Sequence, residues 1–337
     1  MGLKILKSLL SDEPQDLVES KAQYNPATGS MEVPVATTKG KPKFKKLGSM
    51  NEELGLTTLN LIRDLHRGMA HFSPDRDYKR LHASDVTREE LEFCPRERAL
   101  LIHTKAEPNE KYIPTTTQVY FDIGEAYHDF VREKWGAKIS FGHWECQRCE
   151  SVTQAMLKPP KCPSCGCKNK LKYQELRVLS SVTGISCGID WMILTPQMKK
   201  VVIVEIKSIN AADFKALEHP MAEHVARTRL YLHAIATSVK DLGFDVDTEE
   251  AHILYVSKGA PVEGSYETNM GFVEKKTPFK DYTIKRADAA ISTYLQKGIA
   301  FDEYRKTKVL PCRLCKSPMA KRAKDCPMSK ECWSMKK

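Results

Sequence analysis

The sequence predicts an α/β protein that carries a zinc-ribbon insertion and a cysteine-bearing C-terminal tail. Two observations lead to this prediction: helical and strand-like patterns alternate along the chain, and most cysteines fall into two clusters. Helical spacing of apolar residues starts at Asn51 and recurs near residues 117–135, 221–239 and 283–298. Strand-like runs lie near residues 173–182, 201–204 and 251–256.

Changes in composition divide the chain into five predicted segments. Residues 12–48 are rich in Pro, Gly, Thr and Lys, so we expect residues 1–48 to form a flexible basic arm, with one or two helical turns in its first ten residues. A helical part of the core follows at residues 49–140, and the ribbon insertion at 141–170. The rest of the core spans residues 171–300, and a cysteine region spans 301–337. Residues 84–90 resemble the capped start of a helix.

The charge balance favours a polyanionic partner. The 337 residues include 53 Lys and Arg against 43 Asp and Glu, a formal net charge of +10, which suits nucleic acid better than an acidic small molecule. No apolar run is long enough for a membrane span, and the N-terminal apolar run is too short for a signal peptide. We therefore expect a cytoplasmic protein without a membrane partner.

The stretch from Gly184 to Lys207 is the most informative part of the chain. A strand predicted from Val201 to Val204 places Glu205 and Lys207 on one face, because side chains alternate with a period of two. The short connection around residues 195–197 makes this strand an antiparallel neighbour of the segment that ends at Asp190. Two carboxylates then converge where a hard divalent cation can bind. Charges at strand ends are usually solvated or ion-paired, so the pattern alone does not establish catalysis.

The cysteines indicate metal binding rather than disulfides. The sharpest signal is a pair of Cys-x-x-Cys knuckles, which supplies four thiolates for a tetrahedral structural zinc: Cys146, Cys149, Cys162 and Cys165. Cys167 is a substitute ligand or a bystander. This polar segment has no apolar core of its own, so we expect the metal to hold it together.

The second group of cysteines allows two assignments. The tail contains Cys312, Cys315, Cys326 and Cys332, while Cys94 lies far upstream. Either the tail alone forms a zinc site, or Cys94 and three tail cysteines hold an iron–sulfur cluster that joins the N-terminal helical part to the C-terminus. Spacing does not decide between them.

The order of these motifs resembles that of RecB-type nucleases of the PD-(D/E)XK superfamily. The matching residues are Cys94-Pro95-Arg96, Gly124-x3-His128, Gly188-Ile189-Asp190, Glu205-Ile206-Lys207, Tyr231 and the terminal cysteines. The sequence is most similar to the iron–sulfur branch with the CRISPR-associated adaptation nucleases, the AddB nuclease domain and related phage exonucleases. Residues 85–335 are covered, and the combination of motifs, rather than any single one, carries the resemblance.

The resemblance implies a restriction-endonuclease-like core, with a central mixed sheet flanked by helices, and a Mg²⁺- or Mn²⁺-dependent DNA exonuclease or endo/exonuclease. It implies that His128, Asp190, Glu205 and the Ile206 carbonyl bind the ion, and that Lys207 positions or deprotonates the attacking water. Tyr231 and Arg227 correspond to DNA-contacting positions, although relatives usually have Gln at the latter. Glu175 occupies a place where some relatives carry an acidic residue.

The resemblance also favours the iron–sulfur assignment, as a 4Fe-4S cluster on Cys94, Cys315, Cys326 and Cys332, with Cys312 as the spare thiol. The expected partner is DNA, as single strands or duplex ends, and the arm or the ribbon offers a surface for a protein partner. The competing hypothesis is a zinc-containing nucleic-acid-binding protein built on an inactive nuclease scaffold; a third is a zinc-dependent transcription or replication factor with zinc at both cysteine groups.

Overall fold

The computed structural model describes residues 23–25, 30–35, 43–46, 65, 69, 79–88, 92–104, 113–195, 197–238, 242–259, 261–268 and 270–335. The chain divides into two units, residues 1–69 and 70–337. In the first unit, strands β1 (Gln23–Asn25), β2 (Ser30–Val35) and β3 (Lys43–Lys46) pair into an antiparallel sheet that the sequence did not predict. The helical turns predicted for the first ten residues, and most of the helix predicted from Asn51, lie outside the described residues.

A mixed sheet forms the centre of the second unit. Its strands are β5 (Ser140–Cys146), β6 (Val152–Ala155), β7 (Leu171–Gln174), β10 (Trp191–Ile193), β11 (Val202–Ile209), β12 (Glu250–Ser257) and β15 (Phe279–Lys285). The order is β15-β12-β11-β10-β5-β6, and β7 also pairs with β5. Only the β11–β12 pair is parallel among these described pairs, because a helical crossover connects the two strands.

A smaller sheet lies beside it, with the order β4 (Leu81–His82), β9 (Ile185–Ile189) and β8 (Leu176–Leu179). A separate hairpin joins β13 (Val262–Glu267) to β14 (Val273–Thr277). The chain changes sheet at two single residues: Glu175 separates β7 from β8, and Asp190 separates β9 from β10. The uninterrupted strand predicted over residues 173–182 is therefore wrong.

Eight α-helices are described in this unit. Their bounds are α1 (Ala83–Val86), α2 (Pro95–His103), α3 (Thr115–Phe130), α4 (Ala211–Ala216), α5 (Ala222–Ser238), α6 (Ser292–Thr307), α7 (Lys321–Lys324) and α8 (Ser329–Ser334). A π-helical turn, Val131–Trp135, continues α3, and a 3₁₀ turn, Asp288–Ile291, precedes α6. Helices therefore flank the central mixed sheet, as predicted. Among the described residues, no helix is both long and apolar enough to cross a membrane.

Two predicted helices start in the wrong place. The helix predicted over 283–298 begins only at Ser292, because Thr283, Ile284 and Lys285 pair with β12 instead. The capped start predicted at residues 84–90 yields the single turn α1, in which the Asp85 side chain accepts a hydrogen bond from the His82 backbone N–H. A longer helix starts at Pro95, which suits the first helical position because proline lacks an N–H.

The main core lies between the sheets and helix α5. It contains buried apolar residues from β9, β10, β11 and α5, including Ile189, Met192, Ile203 and Leu232. A second cluster surrounds Trp144 and Trp191 at the junction of β5, β10 and the ribbon. The residues that change sheet therefore lie beside well-packed side chains, which fixes their positions.

Candidate active site

Asp190 lies at the junction of the two sheets. Its backbone carbonyl accepts a hydrogen bond from Arg132 Nη1 at 3.1 Å, and its Oδ2 accepts one from the backbone N–H of Ile206 at 2.9 Å. Ile206 is fully buried, and Asp190 is 9% exposed. The backbone of β11 therefore holds Oδ2 of the carboxylate, and the other oxygen, Oδ1, faces His128.

Glu205 and Lys207 share one face of β11, as the strand period predicts. Lys207 Nζ lies 2.5 Å from Glu205 Oε1, 3.7 Å from Asp190 Oδ2 and 3.1 Å from the Ile206 carbonyl oxygen. The predicted antiparallel hairpin is present, with Trp191 opposite Val204 in the β10–β11 pair. The structure thus brings Asp190, Glu205, Lys207 and the Ile206 carbonyl together.

Burial and charge shift the pKa values of this group. Burial raises the pKa of Glu205, and the Asp190 charge adds to this rise, whereas Lys207 and Arg227 oppose it. Burial disfavours the ammonium form of Lys207, but the carboxylates of Glu205 and Asp190 outweigh burial and raise the lysine pKa. Lys207 is therefore a cation here. Glu205 Oε2 is buried and has no hydrogen-bond partner among the described residues, so it can accept a bond from a cation or a ligand.

His128 and Glu175 complete a potential metal site with Asp190. His128 Nδ1 lies 3.7 Å from Asp190 Oδ1, and one ligand atom from each of the three residues falls within 4.8 Å of the others. Burial, followed by the charges of Lys207 and Arg132, lowers the pKa of His128 to about 4, so its imidazole is neutral near neutral pH and has a lone pair for a cation. One imidazole and two carboxylates suit a divalent ion. Glu205 is outside this close group.

Arg132 is a site residue that the sequence analysis missed. Its guanidinium donates to Glu175 Oε1 at 3.2 Å, to Asp129 Oδ1 at 2.9 Å and to the Asp190 carbonyl. His128 lies near the end of α3, and Arg132 lies four residues later, in the π-helical turn that continues it. Helical spacing alone therefore places both side chains on one side of the helix. This spacing was the signal that could have identified it.

Helix α5 contributes Arg227 and Tyr231 to the same place. Arg227 Nη1 lies 3.5 Å from Glu205 Oε1, and Tyr231 is 5% exposed. Both line a cavity of about 780 Å³ together with Asp190, Glu205 and Lys207. Arg80, Arg177 and Arg305 also line this cavity, so cationic side chains surround the carboxylates.

The four predicted ribbon cysteines come together. Their Sγ atoms all lie within 4.8 Å of one another, which is close enough for one tetrahedral ion. Cys146 and Cys162 are buried, and Cys149 and Cys165 are exposed. Cys167 is also near, with its Sγ 3.2 Å from Cys146 Sγ. This four-thiol group can hold a metal ion, and its chemistry suits zinc.

The tail packs on the helix that follows Cys94. Arg96 Nη1 donates to the Pro311 carbonyl at 2.8 Å, and Arg322 forms an ion pair with Glu97. The Arg322 charge acts on the thiols of both Cys94 and Cys326, whose pKa values burial raises. Upstream and tail cysteines therefore belong to one region of the described structure.

The cysteine sulfur atoms of this region are spaced differently from those of the ribbon. Among the described cysteines, only the ribbon group has four thiols close enough to share a single ion. Cys312, Cys315 and Cys332 are exposed or half-buried. In a 4Fe-4S cluster each thiolate binds a different iron, so the four cysteine sulfurs need not meet around one ion. The spacing of Cys94 and the tail is therefore unlike that of a preformed single-ion site.

Comparisons with known proteins give distant likenesses to solved structures. No family model and no curated protein matches the chain. Among solved structures, it is similar to an alkaline exonuclease (LHK-Exo) from Laribacter hongkongensis, at 10% identity and a TM-score of 0.38, over 68% of this chain and 90% of that chain. The same exonuclease in complex with dAMP is 11% identical, with a TM-score of 0.36 and the same coverage. Identity and TM-score are both too low to transfer a function.

Proposed function

We propose that the protein is a DNA exonuclease of the PD-(D/E)XK type that hydrolyses phosphodiester bonds with Mg²⁺ or Mn²⁺. The observation that carries this proposal is the set of Asp190, Glu205 and Lys207 joined by short contacts at one cavity, with His128 beside Asp190. An ion pair that serves only stability has little need for a second carboxylate and a neutral imidazole at the same point.

The side chains divide the work of this reaction. A bound divalent cation would polarise the phosphate and lower the pKa of a water molecule. His128, Glu175 and Asp190 would hold it, and the buried free oxygen Glu205 Oε2 and the Ile206 carbonyl are the further predicted ligands. Lys207 is cationic in the structure, which suits a role in positioning the attacking water rather than in deprotonating it.

Nucleic acid is the substrate class that the surroundings of the site support. The chain has a formal net charge of +10, and Arg80, Arg177 and Arg305 line the cavity that contains the carboxylates. Arginine binds phosphate groups through planar paired donors. We place Tyr231 and Arg227 at the DNA strand near the scissile phosphate. We propose that the enzyme acts in DNA recombination, replication or degradation.

Two further metal centres belong to the proposal. We assign structural Zn²⁺ to Cys146, Cys149, Cys162 and Cys165, and a 4Fe-4S cluster to Cys94, Cys315, Cys326 and Cys332. Anaerobic purification followed by iron, sulfide and zinc analysis tests both assignments. We expect about one zinc and one cluster per chain, with cluster absorbance lost in Cys326→Ser and kept in Cys312→Ser. A colourless protein that contains only zinc would refute the assignment of the iron–sulfur cluster.

Cleavage assays with matched variants test the activity itself. The wild-type protein should degrade labelled DNA in Mg²⁺ or Mn²⁺ but not in EDTA. Lys207→Met removes the positive charge while keeping an unbranched side chain, and we expect at least a 100-fold loss of rate, which corresponds to about 2.7 kcal/mol. Lys215→Met, on α4, is the control for loss of an exposed lysine. Undiminished cleavage by Lys207→Met would refute this active site. DNA binding without cleavage in every divalent metal would favour the non-catalytic DNA-binding alternative.

A further inference from the structure

Arg227 lies between two carboxylates and retains unused donor capacity. Its Nη2 lies 2.5 Å from Glu223 Oε1, its Nη1 lies 3.5 Å from Glu205 Oε1, and its side chain is 15% exposed. Its Nε is buried and has no hydrogen-bond partner among the described residues. The Nη1 distance is too long for a good hydrogen bond, so this guanidinium can turn donors toward a ligand in the cavity that it lines.

The potential metal ligands lie around Asp190. His128, Glu175 and Asp190 place their ligand atoms within 4.8 Å of one another, whereas Glu205 Oε1 contacts Lys207 and Arg227. A second divalent cation on the Glu205 side would have to bind next to two positive charges in a largely buried site. Like charges repel strongly there, because little water screens them. The Arg227 guanidinium thus already supplies positive charge beside Glu205, the carboxylate on that side of the site.

Arginine is also a chemically suitable replacement for a cation. In two-metal phosphodiester cleavage, the two ions together stabilise the attacking and leaving oxygens of the phosphate. A guanidinium offers several N–H donors in one plane, matches phosphate oxygens and does not lose its charge at working pH.

Resting on the proposed function, we propose that Arg227 supplies the second positive charge at the scissile phosphate, so that the site works with a single divalent cation. Arg227 is then a catalytic residue that contacts the substrate, and it does not serve to hold the metal. The metal affinity and the affinity for a phosphodiester should therefore depend on different residues.

Metal stoichiometry tests the first half of this proposal without any activity measurement. Titration with Mn²⁺, followed by electron paramagnetic resonance, should show one tightly bound ion that Asp190→Asn removes and that Arg227→Gln retains with no more than about a 3-fold loss of affinity. The proposal would be overturned if the wild-type chain binds two ions and Asp190→Asn binds neither. Loss of the ion in Arg227→Gln would also overturn it, because Arg227 would then be needed to shape the metal site.

Binding of a short labelled oligonucleotide in Ca²⁺ tests the second half. Arg227→Gln should bind about 10–100-fold more weakly, the range expected for loss of a charged hydrogen bond. Arg227→Lys should lie between Arg227→Gln and the wild type, because lysine keeps the charge but not the planar donors. Arg229→Gln is the matched control, since Arg229 lies on the same helix and contacts the Lys285 carbonyl instead.

The outcomes separate this proposal from the proposed function. Wild-type affinity in Arg227→Gln overturns the role of Arg227, even if the wild-type protein cleaves DNA. A wild-type protein that binds DNA but does not cleave it refutes the nuclease proposal, while the oligonucleotide comparison still decides whether Arg227 contacts a phosphodiester. Thermal unfolding of each variant checks folding, and Arg227→Lys replaces Arg227→Gln in the comparison if the latter unfolds.

Discussion

Replacing Asp190 by Asn or by Ala should separate the chemistry of the site from its contribution to folding. The Asp190 carboxylate has two roles: Oδ2 accepts the Ile206 backbone N–H at 2.9 Å, and the charge faces His128 and Lys207, each at 3.7 Å. Asparagine keeps an oxygen for the N–H but removes the charge. Alanine removes both, so only alanine should affect folding strongly.

The magnitude follows from the burial of Ile206. Because Ile206 is fully buried, Asp190→Ala leaves its N–H without a partner, which costs about 1–3 kcal/mol of unfolding free energy. For a unit of this size, the loss corresponds to a decrease in Tm of roughly 2–12 °C. Asp190→Asn keeps the hydrogen bond, and Lys207 keeps Glu205 as a partner, so we expect a change within about 1 kcal/mol.

Thermal unfolding in EDTA, followed by circular dichroism, measures this difference. Asp122→Ala is the control, because Asp122 is exposed and, among the described residues, accepts a hydrogen bond from Gln118 in the same helix. Both Asp190 variants should lose DNA cleavage and the stabilisation by Mn²⁺, which amounts to about 2.7 kcal/mol at 100 times Kd in the wild type. Equal Tm values for the Asn and Ala variants would refute the role of the Ile206 bond, and cleavage by either variant would refute the role of the charge.

Three other properties can be tested by single substitutions. Cys162→Ser should lose the ribbon zinc and weaken Mn²⁺ binding at the active site, as metal analysis and Mn²⁺ titration will show; retained zinc contradicts the assignment. Gly184→Ala should cost about 1–2 kcal/mol in urea unfolding, because Gly184 has a φ of +65° and a Cβ there would lie 2.9 Å from Asp302 Oδ1; unchanged stability would contradict this. The Asp281 hydrogen bond raises the pKa of His252, so the pair stabilises the fold below the unfolded histidine pKa, and this is lost as pH rises through the raised value. Asp281→Asn should therefore cost about 0.5 kcal/mol near pH 5 and nothing near pH 9, and an equal cost at both would contradict the linkage.

Local pattern predicted the centre of the site because strand geometry is short-range. The period of two puts Glu205 and Lys207 on one face, and the short connection makes β10 the neighbour of β11, with Trp191 opposite Val204. Asp190 directly precedes Trp191 and so enters the same place. The four ribbon thiols were predictable for a similar reason, since two tight knuckles leave few other arrangements.

Residues whose position depends on long-range pairing were not predictable. Only the family resemblance suggested Glu175. The local pattern over 173–182 resembles one strand, whereas the chain passes from one sheet to another at this residue. Ile284 fits a helical spacing, but pairing with Ala251 on β12 places it in a strand. In both places tertiary contacts outweigh local propensity, and no local pattern reports which sheet a segment joins.

The paired strands β5 and β7 connect the cysteine ribbon to the candidate active site, so a change in the ribbon should affect the site. Strand β5 ends at Cys146 within the ribbon, and Cys146 lies opposite Leu171, the first residue of β7. Glu175 follows β7 directly, and a metal ligand must be held to within about 0.5 Å of its working position. If zinc is absent, nothing ties the Cys146 end of β5 to the second knuckle. The start of β7, which pairs with that end four residues before Glu175, is then less well fixed. Cys162 belongs to the second knuckle, outside the close group of His128, Glu175 and Asp190, so weaker Mn²⁺ binding in Cys162→Ser would have to arise through these paired strands.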